Sequence, residues 1–250
     1  MKFLRPLFMA VLSIAAPAFA AELPSGESLL QKSLDRSGGA AAFAKINNAV
    51  MTGTVDMVGH NLSGAMAVYQ SGEKSYTVIE LPGIGKIEEG FDGKTAWEMS
   101  ALQGARIKDG EEQAAVKRAS KITLLGSWRN YYKKARTLGS EDVDGKPAWK
   151  VELTPTEGKN PEFFYFDKET GLLSRVAMIV PTALGDIPAD VSMSDYRVVD
   201  GIQTPFAMTQ KAMSQVLAMH FDKVVYNDQI APDRFDLPPA VKAIADKQKP

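Results

Sequence analysis

From residue 49 onward apolar and polar positions alternate with a period of two, the pattern of strands whose successive side chains face opposite sides of a sheet. Segments 50–57, 62–69, 75–81, 86–91 and 95–99 read as consecutive strands, with a short piece at 104–107. A second set follows at 136–142, 148–153, 163–166, 172–180, 187–196, 202–211 and 216–226. Between the two sets, residues 109–134 change period. Ala115, Ala119, Ile122, Leu125, Trp128 and Tyr132 recur at helical spacing, with Glu111, Glu112, Lys117, Arg118 and Lys121 on the other side. Gly126 interrupts this stretch, and a mid-helix glycine costs about 1 kcal/mol relative to alanine, so two helices bent at Gly126 are expected. Ahead of the sheet, Ser25 is placed to cap a helix that carries Leu29, Leu30 and Leu34 and stops at Gly38-Gly39. A helical turn over 40–46, with Phe43 inward, leads into the first strand.

The turn residues set the direction of the strands. Asp-Gly stands at Asp92-Gly93, Asp144-Gly145 and Asp200-Gly201, with Glu169-Thr170-Gly171 between the last two. Asp-Gly between apolar runs is a hairpin signal, because both central residues of a type I′ turn need positive φ. Hairpins in series make a large antiparallel sheet that folds back on itself. The fold class is mainly β with α (α+β).

Composition narrows the setting. Lys2 and Arg5, an apolar stretch over 7–16 and Ala18-Phe19-Ala20 read as a cleavable export signal covering 1–20. That stretch is too short for a span of about 20 residues, and no later segment is long enough either, so no transmembrane segment is expected. The sequence has no Cys, which leaves no acceptor for an N-terminal lipid, no disulfide and no thiolate metal site. The expectation is a periplasmic chain, exported and without a lipid anchor. Residues 21–240 read as one domain, and 241–250 as a flexible, charged tail. At 45% hydrophobic, 24% charged and a net charge of −1 the chain is an ordinary globular one without the basic stripe that nucleic acid requires.

Catalytic chemistry finds little support. His60 falls in an apparent hairpin turn and His220 in mid-strand, without the spacing of a metal site. No Gly-x-Ser-x-Gly elbow or phosphate-cradling glycine loop occurs. Glu88-Glu89 and Glu111-Glu112 are adjacent pairs, and neighbours on a strand point to opposite faces. A non-enzymatic protein with no cofactor is expected.

Several strands are apolar on both faces. Over 172–180, Val176, Met178 and Val180 share one face while Ala177 and Ile179 occupy the other; over 216–225, Leu217, Met219 and Phe221 oppose Val216, Ala218 and His220. Helices and neighbouring chain covering both sides would account for this; so would a curved sheet whose concave face lines an apolar cavity closed by 109–134. Methionines at 51, 57, 66, 99, 178, 193, 208, 213 and 219 suit an adaptable apolar wall, and equally fill gaps in ordinary cores. Leu81-Pro82-Gly83-Ile84-Gly85 and Pro181-Thr182-Ala183-Leu184-Gly185 are apolar loops placed either to touch a membrane or partner or to fold back onto the core.

A wider pattern is carried by Gly38-Gly39 leading to Ile46 and Gly53-Thr54, by 90–97 (Gly-Phe-Asp-Gly-Lys-Thr-Ala-Trp) and by 141–148 (Glu-Asp-Val-Asp-Gly-Lys-Pro-Ala). Residues 165–172 (Tyr-Phe-Asp-Lys-Glu-Thr-Gly-Leu), 194–201 (Ser-Asp-Tyr-Arg-Val-Val-Asp-Gly) and 235–238 (Phe-Asp-Leu-Pro) continue it. Together they resemble the LolA-like, outer-membrane lipoprotein-sorting superfamily over most of the chain. The resemblance implies an unclosed antiparallel β-barrel with an N-terminal helix and a helical lid on its concave side. It also implies a cavity for acyl chains of lipoproteins or free lipids, and in some relatives a role in sensing envelope stress. On that reading the protein is a periplasmic carrier of a lipid, an acylated protein or another apolar ligand; the alternative is an envelope protein that binds a protein partner. Met66, Val68, Ile79, Trp97, Met178, Met193, Met208, Leu217, Met219 and Phe221 are the expected cavity wall. Leu125, Trp128 and Tyr132 are the expected lid, and Leu81 and Ile84 the expected loop contacts.

Overall fold

The computed structural model describes residues 22–182 and 185–247. The expected signal segment, 1–20, lies outside the described residues, as do Ala183 and Leu184 of the second apolar loop. Helix α1 (Gly26–Arg36) starts where Ser25 Oγ accepts the Ser28 N–H at 3.1 Å, and it buries Leu29, Leu30 and Leu34. A single helical turn, α2 (Ala40–Phe43), follows after Gly38 and Gly39, both at positive φ.

The described residues then form thirteen strands. The first six are β1 (Asn48–Met57), β2 (Leu62–Ser71), β3 (Lys74–Leu81), β4 (Gly85–Phe91), β5 (Ala96–Ser100) and β6 (Gly104–Lys108). Helices α3 (Gly110–Ala119) and α4 (Leu124–Ser127), with a 3₁₀ turn at Trp128–Asn130, separate them from β7 (Tyr132–Val143). The remainder are β8 (Lys146–Pro155), β9 (Glu162–Asp167), β10 (Leu173–Thr182), β11 (Gly185–Val199), β12 (Ile202–Ala212) and β13 (Gln215–Tyr226). All join one antiparallel sheet in the order β6-β5-β4-β3-β2-β1-β13-β12-β11-β10-β9-β8-β7. The sheet is not closed into a barrel: β6 and β7 are its two edges. No helix among the described residues is long and apolar enough to cross a membrane.

Every predicted strand is present, and the turn chemistry explains two of the hairpins directly. Asp144-Gly145 (φ 50° and 80°) and Asp200-Gly201 (φ 49° and 82°) have the double positive φ of a type I′ turn. Asp92-Gly93 does not. Its loop is longer, and Asp92 Oδ1 accepts the N–H groups of Lys94 and Thr95 at 2.7 and 2.6 Å. Gly171 closes a similar loop in which Asp167 Oδ1 accepts from Thr170 N at 2.7 Å.

The sheet is strongly curled. Arg118, in the last turn of α3, bonds Glu162 on β9, while Ser120 two residues later bonds Ser75 on β3. β3 and β9 are seven places apart in the sheet order, roughly 34 Å if the sheet were flat at about 4.8 Å per strand. A sheet reached on both sides by one helix end is wrapped around it. The register then assigns the faces: Gly53–Met66–Ile79, Met219–Met208–Met193 and Val191–Val176–Phe164 are cross-strand neighbours on the concave side. Leu29 and Leu30 of α1 pack on the same side against Val151, Leu153, Phe164 and Phe166.

Two expectations are corrected here. The helical insertion breaks at 120–123 rather than at Gly126, and Tyr132 opens β7 instead of ending a helix. Residues 241–247 of the expected flexible tail belong to helix α5 (Pro239–Lys247), which packs on β6 and buries Val241 completely, while 248–250 lie outside the described residues. An apolar face hidden among lysines, with Val241, Ile244 and Ala245 at helical spacing, is the reason.

Candidate functional site

Under the helices the concave face leaves a cavity of about 460 Å³. Its sheet wall is Phe164 on β9, Leu173, Val176, Met178 and Val180 on β10, Val191 and Met193 on β11, and Ile202 and Met208 on β12. Its roof is Phe43 of α2, Ala115 and Ala119 of α3, Ile122, and Leu124 and Leu125 of α4. The helical stripe Ala115–Ala119–Ile122–Leu125 thus faces the sheet, as its spacing predicts.

The polar groups of the wall are largely bonded to one another. Arg118 is 9% exposed, and its Nε donates to Glu162 Oε1 at 2.7 Å. Its Nη1 donates to the Glu157 carbonyl at 2.9 Å, and Tyr132 Oη donates to Glu162 Oε2 at 2.5 Å. Burial, and then the Glu162 carboxylate, push the Tyr132 phenol far above its ordinary 10, so it stays a hydrogen-bond donor at any physiological pH. Tyr196 Oη donates to the Leu173 carbonyl at 2.5 Å, and Tyr226 Oη lies 2.7 Å from Thr204 Oγ1. Burial raises both of these phenols as well. A wall of aliphatic and methionine side chains, with most of its polar groups bonded to one another, offers an apolar surface to a guest.

The residues singled out from the sequence divide into three groups. Met178, Met193 and Met208 line the cavity, with Leu125 and Tyr132. Met66, Val68, Ile79, Leu217, Met219 and Phe221 form a neighbouring apolar cluster on the concave side, which also contains Met208. Met208 therefore joins the cavity to this second patch. Trp97 belongs to neither. It pairs with Gly90, the neighbour of Tyr76, and that row places it on the convex face, where its ring lies 6.1 Å from Tyr76. Trp97 and Met66 both alternate correctly within their own strands; only the register across β2 to β5 shows that they face opposite ways.

The remaining differences are local. Trp128 is buried beside Leu29 and Leu30 and does not reach the cavity. Leu81 is 3% exposed within β3, and Ile84 packs back on the same cluster as Met66, so these are core contacts. The exposed apolar side chains at hairpin tips are instead Val58, Leu102 and Met213.

Arg118 and Lys121 are cavity residues that the pattern reading placed opposite the apolar stripe, and Glu162 is one that it did not single out. Arg118 carried a signal: it stands three residues after Ala115 and four before Ile122, on the apolar stripe rather than opposite it. Glu162 carried none, because its partner lies 44 residues away in sequence.

A DUF1329 family protein from Desulfovibrio piger superposes with a TM-score of 0.58 at 14% identity, over 86% of this chain and 98% of that one. A domain from Vibrio parahaemolyticus classed with outer membrane lipoprotein-sorting proteins gives 0.57 at 13% identity, over 84% and 96%. A LolA superfamily protein of Nitrosomonas europaea gives 0.55 at 12%, over 86% and 99%. The chain has the LolA-type fold. No protein-family model and no curated protein matches the sequence. At these identities the likeness is one of fold.

Proposed function

We propose that this protein is an exported, periplasmic carrier that holds a lipid, the acyl chain of a modified protein or another apolar ligand between its sheet and its helical lid. The observation that carries the proposal is the cavity of about 460 Å³ with a mostly apolar wall. Burying a methylene stabilises by about 0.8 kcal/mol, so ten of them contribute roughly 8 kcal/mol before the cost of association. The LolA-type fold supports the same reading, and no covalent step or cofactor enters it.

The test is native mass spectrometry of protein purified from its own periplasm, followed by lipid extraction. A bound mass of an amphiphile, lost in folded Met178→Asp and Met193→Asp variants, supports the carrier. A protein that is empty, and stays empty after incubation with envelope lipids, overturns it.

A second reading is an envelope protein that binds a protein partner. Val58, Leu102 and Met213, exposed by 52%, 80% and 81%, favour it, because they stand on the turns between β1 and β2, β5 and β6, and β12 and β13, at one end of the sheet. Polar replacement of Leu102 and Met213 that abolishes crosslinking to a partner while sparing lipid content would select this second reading.

A further inference from the structure

The cavity is apolar but not electrically neutral. Two cations line it, and they are in different states. Arg118 is spent, paired with Glu162 and bonded to the Glu157 carbonyl. Lys121 is half-buried in the connection between α3 and α4, and its ammonium has no hydrogen-bond or carboxylate partner among the described residues. The one acidic residue of the lining, Glu162, is occupied by Arg118 and Tyr132. The uncompensated charge of this wall is therefore a single positive one, carried by a residue that lines the apolar space together with Ile122 and Leu124.

Size is the second constraint. At about 30 Å³ per water- or methylene-sized group, 460 Å³ holds roughly fifteen such groups. That matches one alkyl chain of ordinary length.

Resting on the carrier reading, we infer that the cavity selects a ligand with a single alkyl chain ending in an anion, its chain against Met178, Met193 and Met208 and its head at Lys121. A fatty-acid carboxylate and a monoalkyl phosphate share this chemistry.

The experiment is competition binding to the whole mature protein with myristate, myristyl phosphate, myristyl alcohol and dimyristoyl phosphatidylglycerol. A charged hydrogen bond at Lys121 is expected to favour the better of the two anions over the alcohol by about tenfold, with the diacyl lipid failing to displace it. Which anion leads tells carboxylate from phosphate. In Lys121→Gln the preference should collapse while alcohol affinity stays within about twofold, and thermal unfolding of the variant checks that the fold is intact. Equal binding of alcohol and anions, an unchanged preference in Lys121→Gln, or displacement by the diacyl lipid overturns the inference but leaves the carrier reading standing. Failure of every alkyl compound to bind overturns both.

Discussion

Arg118→Met is the perturbation that tests most directly how the lid is held. The Arg118 and Glu162 side chains are 11% and 13% exposed, so the small values found for surface pairs do not apply. Removing one partner of a buried pair leaves an uncompensated charge and typically costs 3–5 kcal/mol. Glu162 keeps its hydrogen bond from Tyr132, which places the expected loss at the lower end, about 3 kcal/mol. With a urea slope of about 2 kcal/mol/M, the unfolding midpoint should fall by roughly 1.5 M. If the cost is the orphaned charge rather than lost packing, Arg118→Met combined with Glu162→Gln should recover most of it, because the amide still accepts from Tyr132 without needing a cation. A midpoint shift below about 0.5 M, or a double variant no more stable than the single one, would falsify this account. The lid would then be held by its apolar stripe alone.

Two further predictions concern the other attachments of the sheet. Glu98 is pushed up by burial but held below its ordinary 4.5 by the Arg106 and Lys108 hydrogen bonds, so it stabilises the fold above pH 4.5 and that contribution disappears as pH falls through its lowered folded value. Lys108 behaves oppositely: burial lowers it, Glu89 and Glu98 raise it past 10.5, and its contribution is lost only as pH climbs beyond that. Urea titrations across the acid range should therefore show a flatter acid limb in Glu98→Gln than in the parent, and identical limbs would refute the coupling. The glycines give a steric series. A Cβ on Gly53 would sit 1.9 Å from the His220 carbonyl oxygen and one on Gly90 2.6 Å from the Trp97 ring, whereas at Gly126 the nearest atom, of Leu34, is 3.8 Å away. Gly53→Ala and Gly90→Ala should each cost about 2 kcal/mol, and Gly126→Ala should be neutral or stabilising. Calorimetric melting temperatures in any other order would contradict the packing described.

Local chemistry determined a large part of this protein. Period-two alternation marked all thirteen strands, and Asp144-Gly145 and Asp200-Gly201 formed the expected type I′ turns, because these signals depend only on residues a few positions apart. The stripe Ala115–Ala119–Ile122–Leu125 likewise announced a helical lid facing an apolar surface. What no local pattern contains is the phase between strands. Each turn and each bulge, such as the one between Thr52 and Gly53, resets which face an alternating side chain takes. Hence Met178, Met193 and Met208 converge on one cavity, Met66 and Met219 sit beside it, and Trp97 lies on the far face. The charges of the site were decided at longer range still. Arg118 is neutralised and Lys121 is not because the curl of the sheet brings β9 to one end of α3, and that closure is a property of the assembled sheet alone.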